Sequence, residues 1–251
     1  MESRRSRSKL GRKYGYRIDI PDIRDLAYRP TVARTEIVIP PSVMLENQLP
    51  ACWDQGLEGS CCGHGVGGAV AFIHQGFMPS RQQIYFDGRQ IEGDTDQDAG
   101  AQISDVVQAL AHLGVAPEEL WPYEESNIFT TPPDEVYQAS LPYKISQYLR
   151  VADLDDTKQC LAEGFPVIIG FSVYEYFESQ VMNEEGILHL PQPNEQLLGG
   201  HCVLVTGYNE DTQRVRVRNS WGINWGPFQG NFEMDYAYFQ NLVSDCWTIR
   251  A

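Results

Sequence analysis

The stretch QGLEGSC at residues 55–61 leads out of a loop into a segment rich in glycine, alanine and cysteine that continues to Gln75. Ser60 is a suitable N-cap, so the pattern predicts a helix that begins with Cys61. Unpaired N–H groups and the positive end of the helix dipole stabilise a thiolate at such a position. Cys61 is therefore a candidate nucleophile. Each glycine within this helix costs about 1 kcal/mol relative to alanine, which predicts that another backbone packs closely against it.

Two later segments supply groups that can act together with this thiol: GGH at residues 199–201 and NSWG at residues 219–222. The imidazole of His201 can pair with the thiolate and then protonate a leaving amine. The side-chain carbonyl of Asn219 can hold the ring in the required tautomer without adding charge. Gln55 can direct its amide toward the same reacting carbonyl and form an oxyanion hole with the backbone N–H of the nucleophile. The order of these groups indicates nucleophilic catalysis by a thiol.

Other arrangements of the same residue types stay open at this point. His64 could reach the helix face that carries Cys61, as a rival base, but no orienting group accompanies it. Residue types that bind zinc also occur together in these segments: Cys61, Cys62, His64, His201 and Cys202. Their spacing matches no C-x-x-C or H-x-x-x-H pattern, so we expect no metal and no cofactor. On a helix, the side chain of Cys62 points ~100° away from that of its neighbour, and we expect it to pack in the core.

The remaining pattern predicts helices first and strands second. An apolar stripe predicts a helix over residues 103–113, and short helices are expected over 155–163 and 174–182. Runs of β-branched and aromatic residues predict strands over 145–151, 166–173, 202–208, 215–218 and 247–249. Residues 117–142 are rich in proline and are interpreted as a long connection between lobes. This order implies an α+β protein of two lobes, with a site between them.

These motifs resemble those of the papain-like cysteine peptidases, the cathepsin family. The resemblance rests on four pieces: QG at 55–56, GSC at 59–61, GH at 200–201, and NSWG at 219–222 followed by WG at 225–226. The chain is also similar to a divergent branch of the family that occurs in microbes and large viruses. That similarity rests on YGYR at 14–17, IEG at 91–93, LWPY at 120–123 and SDCWTI at 244–249. The resemblance extends from about residue 37 to the end of the sequence.

The resemblance implies a papain-like fold, in which a helical lobe and an antiparallel β-barrel-like lobe enclose the active site in a cleft. It makes Cys61 the nucleophile, His201 the general base and acid, Asn219 the residue that orients His201, and Gln55 an oxyanion donor. The indole of Trp221 is expected to shield the histidine–asparagine hydrogen bond from water. The residues expected to contact substrate are Gly100, Ala101, Gln102, Gly200 and Trp221.

The expected organisation is a basic arm over residues 1–36, a mainly helical lobe over 37–135 and a mainly β lobe over 136–251. The expected function is hydrolysis of peptide bonds through a Cys61 acyl-enzyme, by an endopeptidase that acts on peptides or proteins. Two alternatives are a catalytically silent structural or peptide-binding relative, such as a particle-associated protein, and a cysteine-based acyltransferase. The NSWG segment at 219–222 favours the peptidase.

The sequence also departs from the family pattern. Cys62 follows the nucleophile where the best-known members carry tryptophan, and no cysteine lies three positions before Cys61, so a familiar disulfide is absent. The low density and spacing of the six cysteines favour free thiols. The usual helical propeptide is missing too, so we expect residues 1–36 to lie near the cleft and inhibit the enzyme.

Charge is distributed unevenly along the chain. Seven of the 19 Lys and Arg residues and one of the 34 Asp and Glu residues lie in the first 17 positions, so this segment carries +6 and the remainder −21. The net charge of −15 argues against nucleic-acid and anionic-membrane partners, and opposite charges favour docking of the arm on the body. No apolar run reaches the ~18 residues of a membrane span, and no apolar secretory signal is present. An intracellular location is expected, with a virus particle or unconventional export as alternatives.

Overall fold

The structure, a computed structural model, describes residues 11–30 and 39–251. The first ten residues of the predicted arm, and residues 31–38, lie outside the described residues. The helices are α1 (Cys61–Ile73), α2 (Arg81–Glu92), α3 (Ile103–Leu113), α4 (Asp134–Ser140), α5 (Leu154–Ala162), α6 (Gln180–Glu185) and α7 (Tyr236–Leu242). The predictions that a helix begins at Cys61 and that another spans residues 103–113 are confirmed.

Most strands belong to one large sheet that follows the helical part in sequence. The strands are β1 (Tyr16–Arg17), β2 (Ser42–Met44), β3 (Ala101–Gln102), β4 (Gln147–Arg150), β5 (Val167–Tyr174), β6 (Ile187–Leu188), β7 (Leu197–Asn209), β8 (Arg214–Arg218), β9 (Asn231–Asp235) and β10 (Val243–Arg250). The large sheet has the order β4-β10-β5-β7-β8-β9-β6, and β2 also pairs with β7. All of its pairs are antiparallel except β6 with β9. β1 and β3 form a separate parallel pair.

The helix α1 is almost completely buried because it lies between α2 and the strand β7. Two of its glycines explain how the neighbours come so close. A Cβ on Gly63 would lie 2.7 Å from the backbone oxygen of Arg81, and a Cβ on Gly65 would lie 3.0 Å from the sulfur of Cys202. The close approach predicted from the glycines is thus present on both sides of the helix. It fixes the position of α1, and of its first residue, against the sheet.

The sequence patterns did not reveal α2. Four of its polar residues are buried, namely Gln82, Gln83, Asp87 and Arg89, and its buried apolar side chains form a single short run at residues 84–86. Three of these residues, Gln83, Asp87 and Arg89, form side-chain hydrogen bonds, such as that of 3.0 Å from Gln83 Nε2 to Ser140 Oγ. Apolar periodicity identifies helices that bury an apolar stripe, so a helix that buries amides and charges escapes it.

The interpretation of residues 117–142 as a plain connection needs correction, because α4 lies within them. Pro133 is the N-cap of this helix, and a proline at a helix start costs no hydrogen bond since the first N–H groups have no partner within the helix. The prolines therefore mark where α4 begins rather than the absence of structure.

Two apolar cores confirm the expected two-lobed α+β arrangement. One core lies within the β part and includes Phe171, Val205 and Phe232. The other joins α1, α2 and α3 to one face of the sheet and includes Val66, Val107, Ile168 and Trp247. None of the helices within residues 11–30 and 39–251 is long and apolar enough to cross a membrane.

Candidate active site

The candidate nucleophile Cys61 is the first residue of α1 and is fully buried. Two groups beside it are the thiol of Cys62 and the imidazole of His201. Burial raises the pKa of the Cys61 thiol well above its usual value, Cys62 raises it further, and His201 lowers it. In this buried environment, the neutral thiol is favoured over the thiolate.

The imidazole of His201, in β7, is oriented by Asn219. Its Nε2–H donates a hydrogen bond of 2.8 Å to the side-chain oxygen of Asn219. That oxygen also accepts a bond of 2.8 Å from the backbone N–H of Ser220, which fixes the amide. In a neutral ring, a proton on Nε2 leaves Nδ1 as the acceptor, and Nδ1 has no hydrogen-bond partner among the described residues. The arrangement leaves one ring nitrogen able to exchange a proton with the neighbouring thiol.

The amide of Gln55 is fully buried and held at both ends. Its Oε1 accepts a hydrogen bond of 2.6 Å from the hydroxyl of Ser220, and its Nε2 donates one of 2.8 Å to the carbonyl of Glu58. An amide nitrogen carries two protons, so a second N–H remains after the bond to Glu58. The backbone N–H of Gln55 also donates to the carbonyl of Ser220, at 2.9 Å, which joins this loop to the segment that carries Asn219.

Aromatic rings cover the His201–Asn219 pair. The ring of Trp221 lies 5.6 Å from the His201 ring, centroid to centroid, and is itself almost completely buried. Phe177 packs on Trp221 at 5.0 Å and on His201 at 6.0 Å. Because water is kept from the hydrogen bond between the two side chains, the bond is stronger than it would be in solvent.

His64 does not share this arrangement. It is buried, its Nδ1 lies 3.1 Å from the carbonyl oxygen of Ser60, and its ring meets that of Tyr123 edge-on at 4.7 Å. Burial lowers the pKa of His64 to about 3. A histidine that stays neutral throughout the usual pH range cannot form an ion pair with a thiolate. The geometry therefore gives no support to His64 as the base.

A segment of the N-terminal arm occupies the groove beside Cys61. The ring of Tyr14 stands over His201, and Tyr16 packs on Gly170 and Gly200. Between them, a Cβ on Gly15 would collide with the backbone of Gly59. The arm thus runs between the residues just before the nucleophile and the strand that carries the histidine.

In the structure, the residues expected to contact substrate contact this arm or its surroundings. The N–H of Ala101 donates a hydrogen bond of 2.8 Å to the carbonyl of Gly15, whereas that of Gly100 donates to the hydroxyl of Tyr85, at 3.1 Å. The side-chain oxygen of Gln102 accepts a bond of 2.7 Å from the N–H of Ile20. In β3, then, the N–H that binds an extended segment in the groove belongs to Ala101.

Asp98 is a positioning group that the sequence patterns did not single out. Its carboxylate accepts two bonds of 3.1 Å from the N–H of Gly59 and one of 2.6 Å from the hydroxyl of Tyr85. It also pairs with Lys13 of the arm, at 2.6 Å. In the sequence it is one of three aspartates in DTDQD, residues 94–98, and nothing in that run separates it from a solvated loop.

Glu58 is a second group of this kind, at the position where the familiar disulfide is absent. Its carboxylate accepts a hydrogen bond of 2.8 Å from the hydroxyl of Tyr123, which also lies 2.6 Å from Ser60 Oγ and 2.8 Å from the carbonyl of Gln55. Burial raises the pKa of Glu58 to about 7. Hydrogen bonds therefore hold the loop before Cys61, and the six cysteines are free thiols in the structure.

Further along, the arm is fixed to the end of the sheet by buried polar groups. Asp19 Oδ2 accepts a hydrogen bond of 2.7 Å from Trp247 Nε1 and lies 3.3 Å from the guanidinium of Arg150. The N–H of Asp19 donates to Asp245, at 2.9 Å, and Asp245 also accepts a bond from the hydroxyl of Tyr16. We call Asp19, Asp245, Arg150 and Trp247 the latch.

Within residues 11–30 and 39–251, no three His, Cys, Asp or Glu side chains are arranged to hold a metal ion. The sulfur of Cys62 instead lies 3.2 Å from the carbonyl of Ala101, which fits the packing role expected for it.

Comparison with known proteins identifies relatives over most of the chain. The model of the papain family cysteine proteases matches residues 44–245. A peptidase C1-like protein of Acanthamoeba polyphaga mimivirus is 37% identical over 214 residues, which cover 78% of this chain and 68% of the viral protein.

Solved structures give the same result. The crystal structure of xylellain, a cysteine protease from Xylella fastidiosa, has a TM-score of 0.87 and 39% identity, and covers 100% of this chain and 99% of that one. The structure of digestive procathepsin L 3 from the larval midgut of Tenebrio molitor has a TM-score of 0.71 at 19% identity, over 96% of this chain and 78% of its own. The second similarity concerns the fold alone.

Proposed function

The chain belongs to the papain family of cysteine proteases, and on that premise we propose that Cys61, His201, Asn219 and Gln55 carry out its peptide-bond hydrolysis. In this proposal, Cys61 Sγ attacks the carbonyl carbon of the substrate after His201 Nδ1 has taken its proton. Asn219 holds the imidazole through the bond to Nε2. The amide of Gln55 and the backbone N–H of Cys61 stabilise the negative charge that develops on the carbonyl oxygen.

The reaction then proceeds in two halves. His201 gives its proton to the leaving amine as the C–N bond breaks, and an acyl group remains on Cys61 as a thioester. His201 next takes a proton from water, the hydroxide attacks the thioester carbonyl, and the C–S bond breaks to release an acid and the thiol. Both halves need the same ring nitrogen, which must therefore be free of other partners.

The observation that carries this assignment is the state of the His201 ring. Nε2 is bonded to Asn219 at 2.8 Å while Nδ1, the nitrogen left over, has no hydrogen-bond partner among the described residues. Leaving a buried imidazole nitrogen without a hydrogen-bond partner costs free energy. Exchange of a proton with the neighbouring thiol gives this nitrogen a function that accounts for the cost. A purely structural or peptide-binding relative has no need of such a group.

An irreversible epoxide inhibitor of thiol peptidases tests the assignment. The reduced 251-residue chain is incubated with the epoxide, and the modified cysteine is located by mass spectrometry. We expect a single adduct on Cys61, which is lost in the Cys61→Ser variant and retained in Cys160→Ser, a buried cysteine away from the cleft. An adduct on Cys62, or no adduct after the arm has been displaced, would contradict the assignment.

We further propose that the arm inhibits the enzyme within the same chain. The support is steric, because Tyr14, Gly15 and Tyr16 fill the groove beside His201 and Cys61 is fully buried. One of the similar solved structures is described as a procathepsin, so a form with its pro-segment occurs on this fold. In this proposal, peptides or proteins reach Cys61 after the arm moves away.

The same path of the arm supports endopeptidase action. Arg12 lies against Trp221, while Tyr16 lies on Gly200 and reaches Asp245. The groove therefore accepts an extended chain on both sides of His201, as cleavage within a polypeptide requires. An exopeptidase needs a group that blocks one side.

A further inference from the structure

The guanidinium of Arg12 makes three kinds of contact at one end of the groove. Its Nη1 lies 2.9 Å from Asp54 Oδ1 and 3.1 Å from the carbonyl oxygen of Gly56. Its central carbon lies 4.9 Å from the centroid of the Trp221 ring. A carboxylate, a carbonyl and an indole face are thus directed at one cation. We call Asp54, the Gly56 carbonyl and Trp221 the Asp54 site.

The Asp54 site is held together without the arm. Asp54 and Trp221 face each other in an antiparallel β-bridge, and the N–H of Gly222 donates to the carbonyl of Trp53 at 2.9 Å. The carboxylate of Asp54 accepts a bond of 2.9 Å from the N–H of Gly56. These contacts involve only the body of the enzyme, so the acid and the indole stay in place when Arg12 leaves.

The carboxylate of Asp54 is also charged in the pH range in which a thiol peptidase works. Although partial burial alone would raise the pKa of Asp54, the hydrogen bonds from Arg12 and from the N–H of Gly56 hold it below its usual range. The bond from Gly56 persists without the arm. An anion beside an indole face, at the edge of an acidic body, is a binding site for a cation.

We propose that the Asp54 site is a specificity subsite for an arginine side chain of the substrate. This inference rests on the proposed function, in which a peptide replaces the arm in the groove. Trp221 lies 5.6 Å from His201, so a substrate positioned for attack by Cys61 passes close to the site. A flat guanidinium can stack on the indole and still donate hydrogen bonds to Asp54 and to the carbonyl of Gly56. The ammonium of lysine is a compact, strongly hydrated charge that cannot make both kinds of contact equally well, so the site favours arginine.

Paired peptide substrates test the proposal on the whole 251-residue chain. Peptides carry arginine, lysine or glutamine at one position at a time on either side of the cleaved bond, and kcat/KM is measured for each. Occupancy of the groove by the arm lowers kcat/KM of every peptide by the same factor, so the ratios are independent of it. At one position we expect arginine to exceed glutamine about five- to thirtyfold, with lysine between them.

The Asp54→Asn variant keeps an acceptor for the N–H of Gly56 but removes the charge, and we expect its arginine-to-glutamine ratio to fall close to one. The activity of Asp54→Asn on every peptide can rise, because loss of the Arg12 partner also releases the arm. Release of the arm changes the rates for arginine and glutamine peptides by the same factor, so it does not alter their ratio. Asp211→Asn, at an exposed acid in the β7–β8 loop, serves as the matched control and should keep the wild-type ratio.

Two results would overturn the subsite while leaving the peptidase intact: equal rates for arginine and glutamine at every position, or a ratio that Asp54→Asn does not change. Failure to cleave any of the peptides under reducing conditions, even in a variant with a displaced arm, would overturn the proposed function and the subsite with it.

Discussion

The ring of Tyr14 stands edge-on to the ring of His201, with their centroids 5.8 Å apart and an angle of 82° between the planes. The hydroxyl of Tyr14 donates a hydrogen bond of 2.6 Å to Glu178, which anchors the tyrosine from the β side. A leaving amine must approach this histidine to receive its proton, and Tyr14 stands in its way. In the structure, Tyr14 of the arm therefore lies against one side of this histidine, and Cys61 is fully buried.

Gly15→Ala should open the groove. The added methyl group would collide with the backbone of Gly59. Overpacking of this kind costs about 1–3 kcal/mol. This cost corresponds to an increase of roughly five- to 150-fold in the fraction of molecules whose arm has left the groove. The initial rate on a small neutral peptide measures the effect. The substitution lies in the arm, so the catalytic groups themselves are unchanged. Ile23→Ala, at a fully exposed arm residue, is the control. Equal activities of Gly15→Ala and wild type would argue against inhibition by the arm.

Asn219→Ala should lower kcat with little change in KM. The variant removes the partner of His201 Nε2, and a buried hydrogen bond to a group that becomes charged during the reaction is worth about 1.5–3 kcal/mol, or roughly ten- to 150-fold in rate. Steady-state kinetics in the Gly15→Ala background separate this loss from movement of the arm. Asn241→Ala, at an exposed position on α7, should have no effect. A wild-type kcat in Asn219→Ala would remove Asn219 from the proposed mechanism.

The sequence predicted those parts of the fold that have an apolar stripe or a marked start. The helix at residues 103–113 buries one face of apolar side chains, and the helix at Cys61 follows an N-cap residue in a recognisable motif. By contrast, α2 buries Gln83 and Arg89 and has no apolar stripe. Its stability depends on partners such as Ser140 and the carbonyl of Gln97, which lie elsewhere in the sequence. No local pattern contains that information.

The candidate site divides in the same way. Cys61, His201 and Asn219 lie in motifs that the family resemblance picks out, and the structure places the last two 2.8 Å apart. The surrounding groups depend on tertiary contacts. Asp98 matters because it meets Gly59, which is 39 residues away in the sequence. The opposite charges of arm and body predicted that they would dock, but only the structure pairs Arg12 with Asp54.

High salt should raise the activity of the wild-type enzyme. The arm is held in part by ion pairs that are open to solvent on at least one side: Arg12 with Asp54, Lys13 with Asp98, and Arg17 with Asp94. Salt screens such pairs and so weakens the docking of the arm. A loss of some tenths of a kcal/mol in each of the three pairs would increase the rate about threefold or more. The measurement compares initial rates at low and high sodium chloride on an uncharged peptide. Gly15→Ala, whose groove is already open, should respond much less. Inhibition that strengthens with salt would contradict an electrostatic contribution to docking.

Inhibition by the arm should weaken as pH rises from about 4 to about 6, because of the latch. Burial and the neighbouring Asp245 raise the pKa of Asp19 to about 6 in the docked arm, although Trp247 and Arg150 act in the opposite direction. A free aspartate titrates near 3.8, so the docked arm binds a proton more tightly than the released arm. The proton on Asp19 therefore stabilises the docked arm fully below the pKa of the free aspartate, near 3.8. This stabilisation is lost as pH rises through the pKa of the docked aspartate, about 6. The difference between these two pKa values, about two units, corresponds to roughly a hundredfold change in the docking equilibrium constant.

The ratio of wild-type to Gly15→Ala activity measures this effect, because the pH dependence of the catalytic groups is common to both enzymes and cancels. We expect the ratio to rise across this interval. Asp19→Asn keeps an oxygen that can accept from Trp247 Nε1 but does not titrate, so its ratio to the Asp19→Asn/Gly15→Ala double variant should not rise with pH. A wild-type ratio that falls with pH, or one that rises equally in Asp19→Asn, would show that the latch does not control the arm. This direction is distinctive, since loss of ion pairs between the arm and acidic side chains at low pH would by itself release the arm as pH falls.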